Sequence, residues 1–485
     1  MITIKNILAA ALALACLSTS MSCRKELNAY GTYVNQPDPD PEYGEALLVY
    51  FKDKNQKEYS INKASAFLSE RAIKRRQDQK IAIDSTDLPV SPTYIKELLK
   101  HTNAKLLNCS KWLNYAVIHL PKDYKEVSSI QKLATVAKVK SLGIHRGYEE
   151  PVIPPVIDDN ILDSKVSTAE LDKMEVSQST YGNTYFLLEQ YNANFLHEQH
   201  FYGKGKMIAL MGIGFGYINE KAEIAHLLSE KKIVDTYDFL FNRSDLRTTT
   251  HKGNNQLALM AALKPNHYIG LSPRADFALF RTDQHGNQEP FFETSWVAAL
   301  ERADSIGVDI VSSSQVYGIK FNQPEFDITP ETTDGRAISS LAADAAFNKG
   351  ILTVQMQPQK SGPLNFTLPP TDAKNIITVG NIDRKNKPIY SAINKPTADG
   401  RIKPELGALS FDIPVIYGYS NSYSSGETPP IIAGLIACLW EALPGKTAKE
   451  IKTLIQETAS QADTPDNKIG YGIPNFKNAY EKSKK

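Results

Sequence analysis

Ser424-Ser425-Gly426 lies in a polar turn just ahead of Pro429-Pro430 and the apolar run Ile431 to Trp440. A serine there, served by a histidine such as His251 as base, would be a nucleophile for acyl transfer. Serines before a helix more often cap it or face solvent. Gly212, Gly214 and Gly216 follow an apolar run of strand length, the setting of a phosphate-cradling turn, but the last glycine of a G-x-G-x-x-G loop would have to stand at Tyr217. No dinucleotide is expected. His197 and His200 in Leu-His-Glu-Gln-His do not have the His-Glu-x-x-His spacing of a zinc helix, and no further ligand set accompanies them. Both are expected to face solvent, with no metal and no cofactor. Cys438, on the apolar run, is expected to be a small core residue.

The elements that must position these residues fall into two halves. The chain has 485 residues, 42% hydrophobic and 22% charged, enough for two or three domains of ordinary globular composition. With 55 basic and 54 acidic residues the net charge is +1, so no large field recommends nucleic acid as a partner. The basic run Arg71 to Lys80 is expected to be the solvated face of a helix that turns Phe67 and Ile73 inward.

Residues 1–23 have the pattern of an export signal: Lys5, an apolar run from Ile7 to Leu17, then small residues before Cys23. That run is too short to span a bilayer. A small residue before a cysteine at the end of such a signal resembles a bacterial lipobox, which implies lipid attachment at Cys23. Cys16 is the competing thiol, but would leave a shorter apolar run. The expected location is the cell envelope, with a membrane reached through the lipid, the outer membrane by preference. Cys109 and Cys438 then remain, in different domains, and a disulfide is not expected.

Residues 24–45 form a proline-rich tether. In residues 46–148 the runs Ala46 to Phe51 and Tyr115 to Leu120 suggest strands, the second half-buried by its alternation. Ala64 to Arg76 and Ser91 to Lys100 suggest helices, giving a small α+β domain with its own core. Residues 149–180, with Pro151, Pro154 and Pro155, are expected to be a linker.

In residues 181–483 strand-length runs (Lys206 to Met211, Asp276 to Arg281, Val308 to Ser313, Ile351 to Gln355, Ile376 to Gly380) alternate with helices at Phe292 to Ile306 and Ala337 to Asn348. That order predicts a parallel sheet covered on both faces, with its working loops at the carboxyl ends of the strands.

Gly203 to Phe215, His251 to Ala262 and Tyr423 to Trp440 resemble, in order and spacing, the three motif segments of the subtilisin-like serine peptidases. Gly307 to Ser314, Lys349 to Val354, Pro396 to Pro404 and Gly470 to Pro474 resemble the pieces between them. Phe67-Leu-Ser-Glu-Arg71 and Asp87-Leu-Pro-Val-Ser-Pro92 resemble the N-terminal domain of the Bacteroidetes members. The resemblance implies an α/β fold, a parallel-sheet subtilisin-like three-layer domain, preceded by a small α+β prodomain-like domain that serves as folding chaperone and temporary inhibitor.

Acyl transfer in this family needs serine, histidine and aspartate with an oxyanion asparagine. Laying the motif ending in Ile-Asp-Thr-Gly over Ile208 to Gly214 puts Gly212 at the aspartate. Anchoring His-Gly-Thr on Gly253 puts Lys252 at the histidine, with His251 one residue early. Fixing Pro430 puts Gly426 at the serine, with Ser425 and Ser424 out of phase. Gln359 stands at the asparagine; losing that donor in subtilisin costs about 10² to 10³ in rate.

The resemblance therefore implies a pseudoprotease that keeps its N-terminal domain attached and docked over the groove. It would act as a binding or scaffolding protein for a peptide or protein partner. The alternative is an active serine endopeptidase using His251 with Ser425 or Ser424.

Overall fold

The computed structural model describes residues 44–121, 124, 127–145, 166–216, 218, 221–246, 250, 252–284, 288–319, 321–360, 365–389, 393, 395–417 and 425–485. Cys23 and residues 24–43 lie outside them, and the last two residues of the expected tether, Gly44 and Glu45, open the first strand instead.

The first unit is an antiparallel sheet ordered β2-β3-β1-β4, built from β1 (Gly44–Phe51), β2 (Lys105–Ser110), β3 (Tyr115–Leu120) and β4 (Val136–His145). It carries helices α1 (Glu70–Asp78), α2 (Pro92–Thr102) and α3 (Val127–Gln131). The helix expected over Ala64 to Arg76 is two elements. A 3₁₀ turn (Ile61–Ala66) ends before Ser69, whose hydroxyl accepts from Ala72 N at 3.1 Å and starts α1 afresh.

The second unit holds seven parallel strands in the order β13-β12-β11-β10-β5-β9-β6. They are β5 (Met207–Gly212), β6 (Ile233–Asp238), β9 (Asp276–Arg281), β10 (Ile310–Ser313), β11 (Leu352–Met356), β12 (Ile377–Ile382) and β13 (Leu406–Leu409); β7 (Leu263–Lys264) and β8 (Tyr268–Ile269) form a separate hairpin. Side chains of a strand alternate between faces. Ile208 and Leu210 of β5 therefore join the core under α4 (Lys252–Ala261) and α7 (Thr428–Ala442). Met207, Ala209 and Met211 join the opposite core under α5 (Pro290–Ile306) and α6 (Ile338–Asn348).

That second core continues into the first unit. Ala46 and Leu48 of β1 and Tyr115 and Val117 of β3 belong to one apolar cluster with Phe291 and Val297 of α5, while Leu47, Val49, Ala116 and Ile118 face the first unit's own core. Hence β3, expected to be half-buried, is buried at every position: its supposed solvent face lies on α5.

The basic run is a solvated face only in part: Lys74 and Lys80 are exposed, as expected, but the two arginines between them are not. Arg75 and Arg76 are 5% and 1% exposed, and both donate to Asp304 Oδ1 of α5 at 2.6 Å. Lys111 Nζ reaches Asp304 Oδ2 at 2.8 Å, and Lys349 of the second unit reaches Asp87 at 2.9 Å. Phe67 and Ile73, expected inside, are only half-buried. Close approach at this junction requires glycine. A Cβ on Gly307 (φ +92°) would lie 2.7 Å from Arg71 Cγ, and one on Gly350 (φ +87°) 2.7 Å from Gln79 Nε2.

Within the expected linker, residues 166–180 are packed rather than free. Leu171 is fully buried, Thr168 and Ser167 bond Glu230, and a helical turn (Gln178–Tyr181) follows. Among the described residues no helix is long and apolar enough to cross a membrane.

Candidate active-site region

The carboxyl ends of the parallel strands gather several of the residues singled out above. Gly212 is the last residue of β5, where its carbonyl accepts from Thr282 N at 3.1 Å. Lys252 is the first residue of α4, exposed, and Gly426 lies in the turn Ser425–Glu427 that leads into α7. Gln359 follows β11 and is half-buried. His251, Ser424 and the side chain of Ser425 lie outside the described residues.

Gly212 and Gly426 meet across one side chain, Gln256, which stands one turn beyond Lys252 on the same face of α4. Its Nε2 donates to Ser314 Oγ at 3.0 Å and to Gly426 O at 2.7 Å. Ser314 Oγ in turn donates to Gly426 O at 2.7 Å. A Cβ built on Gly426 would lie 3.3 Å from Gln256 Nε2, and one on Gly212 3.8 Å from Gln256 Oε1. The carboxamide thus spans the gap between the ends of β5 and the head of α7. An amide neither takes up a proton at neutral pH nor attacks a carbonyl.

The sequence places three amides in a row at the start of a helix that is buried from Gly253 to Ala261. Each donates to a different loop. Asn254 Nδ2 donates to Gly216 O, and Asn255 exchanges bonds with the 416–417 backbone, Nδ2 to Tyr417 O at 2.9 Å and Oδ1 from Tyr417 N at 2.9 Å. Gln256 holds the head of α7. The loop after β5 is held as well: Gly253 N donates to Gly214 O at 3.1 Å, and a Cβ on Gly253 would meet that oxygen at 2.5 Å and the buried Phe215 ring at 2.6 Å.

Next to Gly426, Glu427 is 9% exposed. Burial pushes its pKa up to about 7, against its own backbone bond and the Lys252 charge, which lower it. Beyond β10, Gln315 O accepts from Gln355 Nε2 at 2.6 Å and Tyr317 N donates to Pro369 O at 2.8 Å. Among the described residues no group of three or more His, Cys, Asp or Glu is placed to hold a metal.

Of the histidines expected to face solvent, only His200 does, beside Asp172 at 3.2 Å. His197 is fully buried because both ring nitrogens find partners, Tyr181 OH at 2.8 Å and Leu271 O at 3.0 Å. Cys438 is buried in the core, and both it and Cys109 are free thiols. Gln256, Ser314 and Glu427 lie inside the segments that carry the resemblance, but the sequence did not single them out; the run of amides was the available signal for the first.

Residues 46–150 match the family model of the peptidase S8 propeptide domain of Bacteroidota, and residues 241–472 match that of the subtilase family. The chain belongs to the subtilase family. Its structure is similar to that of fervidolysin from Fervidobacterium pennivorans, a keratinolytic enzyme related to subtilisin, with a TM-score of 0.52 at 14% identity, over 93% of this subtilase and 62% of fervidolysin. It also matches MycP1 from Mycobacterium smegmatis, with a TM-score of 0.45 at 15% identity, over 68% of this chain and 95% of that one. At these identities the likeness to solved structures is one of fold.

Proposed function

We propose that this subtilase is a pseudoprotease of the bacterial cell envelope, exported and lipid-anchored at Cys23. It works by binding or scaffolding a protein partner, with its N-terminal unit left in place. One observation carries the loss of chemistry. Gly212 and Gly426, aligned with the family's aspartate and serine, have no side chains to offer, and the space between them is filled by the carboxamide of Gln256. Lys252, aligned with the histidine, carries no imidazole.

Without a nucleophile the chain does not cut its own linker, so the N-terminal unit stays attached. The buried ion cluster around Asp304 and the shared core under α5 support a docking made to last. A protein partner is favoured over a captured extended peptide, because in the stretch Ser314-Gln315-Val316, which stands where the family commonly shows the Ser-Leu-Gly of its recognition groove, Gln315 O already bonds within the chain, as does Tyr317 N just beyond it.

The test is to treat the purified chain, from Arg24 onward, with a serine-reactive fluorophosphonate and to read labelling and length by intact mass. An unlabelled, full-length chain is expected. Labelling that disappears on Ser425→Ala or Ser424→Ala, together with loss of the N-terminal unit, would establish the alternative peptidase instead. Anchoring is read separately: a clickable fatty acid fed to expressing cells is expected to label the chain but not Cys23→Ala.

A further inference from the structure

We propose that Gln256 is a positioning residue that locks this centre shut, so that restoring the three lost side chains does not restore a reactive serine while Gln256 remains. This rests on the alignment of Gly212, Lys252 and Gly426 with the catalytic positions.

The geometry points to a lock rather than to a simple vacancy. Both N–H groups of Gln256 Nε2 are engaged, one by Ser314 Oγ and one by Gly426 O. A side chain at position 426 would begin 3.3 Å from that nitrogen, tighter than ordinary van der Waals contact. A hydroxyl carried there would face an N–H donor with no lone pair, not a base. On the other side, a carboxylate at position 212 would begin 3.8 Å from Gln256 Oε1 and 3.6 Å from the Phe215 ring. It would face an oxygen acceptor where an imidazole N–H is needed. An imidazole at position 252 is one turn away on the same helix face and would have to reach into the volume the carboxamide fills.

The network also explains why the lock is firm. Ser314 and Gln256 together saturate the Gly426 carbonyl, at 2.7 Å each, and so tie the head of α7 to α4 and to the end of β10. Moving the carboxamide aside breaks bonds to two elements at once.

The experiment compares two variants of the full-length chain, Gly212→Asp/Lys252→His/Gly426→Ser, and the same three with Gln256→Ala. The triple variant is expected to stay unlabelled by the fluorophosphonate. The quadruple variant is expected to label at position 426, at a rate that rises with pH through an imidazole titration near ~7. A labelled triple variant overturns the proposal, and so does a quadruple variant that is folded by circular dichroism yet unlabelled. Labelling of the unmodified chain would instead sink the pseudoprotease reading.

A second pair covers failure to fold. Gly426→Cys is expected to be alkylated by iodoacetamide about tenfold more slowly in the presence of Gln256 than with Gln256→Ala, peptide mapping separating it from Cys109 and Cys438. Equal rates overturn the lock.

Discussion

At the scale of single residues, a buried carboxyl at the head of α7 sets a measurable pH dependence. Glu427 has an ordinary value of 4.5 that burial raises to about 7. Its protonated form is favoured in the folded chain, so its contribution is intact below about pH 4.5 and is lost as pH rises through about 7. The full loss is on the order of 3 kcal/mol. Glu427→Gln is expected to flatten this part of the curve, read as the urea midpoint at pH 5 and pH 8; an unchanged slope would mean that the carboxyl is solvated in the folded state. The motifs around Gly212 and Gly426 single out both glycines, and the structure sets both beside Gln256. Gln256 itself was not legible, because its effect depends on where a long amide points. His197 was misjudged for a related reason: polar neighbours in sequence suggested exposure, but Tyr181 and Leu271 satisfy the ring inside the core.

Elements were legible where one local rule dominates. Asp276 to Arg281 and Tyr115 to Leu120 coincide with β9 and β3, since short β-branched and aromatic runs between turns leave little choice. β2, with Lys105 and Asn108 in it, and the short glycine-containing β13 have no such pattern and owe their form to a neighbouring strand. For α1 the amphipathic reading failed because its inward face is charged. Arg75 and Arg76 are buried by pairing with Asp304, a contact on another unit that no local window contains. Burial acts to raise the Asp304 carboxyl, but the facing Lys111, Arg75 and Arg76 charges outweigh it and hold it well below the usual range. Removing one partner of such a pair leaves an uncompensated buried charge. Arg76→Ala is therefore expected to destabilise the chain by roughly 3–5 kcal/mol in chemical denaturation. Arg71→Ala, whose pair with Asp309 is 35% exposed on the arginine side, is expected to cost about 1 kcal/mol or less. Equal losses at the two sites would place the junction in solvent.

At the scale of the whole molecule the two units share one interior. The face of the first sheet that carries Leu48, Tyr115 and Val117 shares an apolar cluster with Phe291 and Val297 of α5. The polar contacts follow the same division: Glu301 accepts from Ser110 Oγ, Lys111 N and Trp112 N at 2.5, 2.7 and 3.1 Å, and Asp304 takes three cations of the first unit. Salt screens exposed charges over a length of about 8 Å at physiological strength, and shorter still in molar salt, but weakens buried pairs far less. A protease site inserted into residues 146–165 and cut after folding is therefore expected to leave both pieces eluting together in gel filtration, in dilute buffer and in molar salt alike. Separation in salt alone would mean that the cluster is wet and that the apolar contact is too small to hold. The second unit made by itself, from Val166 onward, would uncover Phe291, which stacks on His145 of the first unit, and leave Glu301 and Asp304 without their partners there. It is expected to be recovered aggregated, and to be rescued by co-expressing residues 44–145 as a separate chain. A soluble, monomeric second unit would show instead that the first unit is an appendage and not half of a common core.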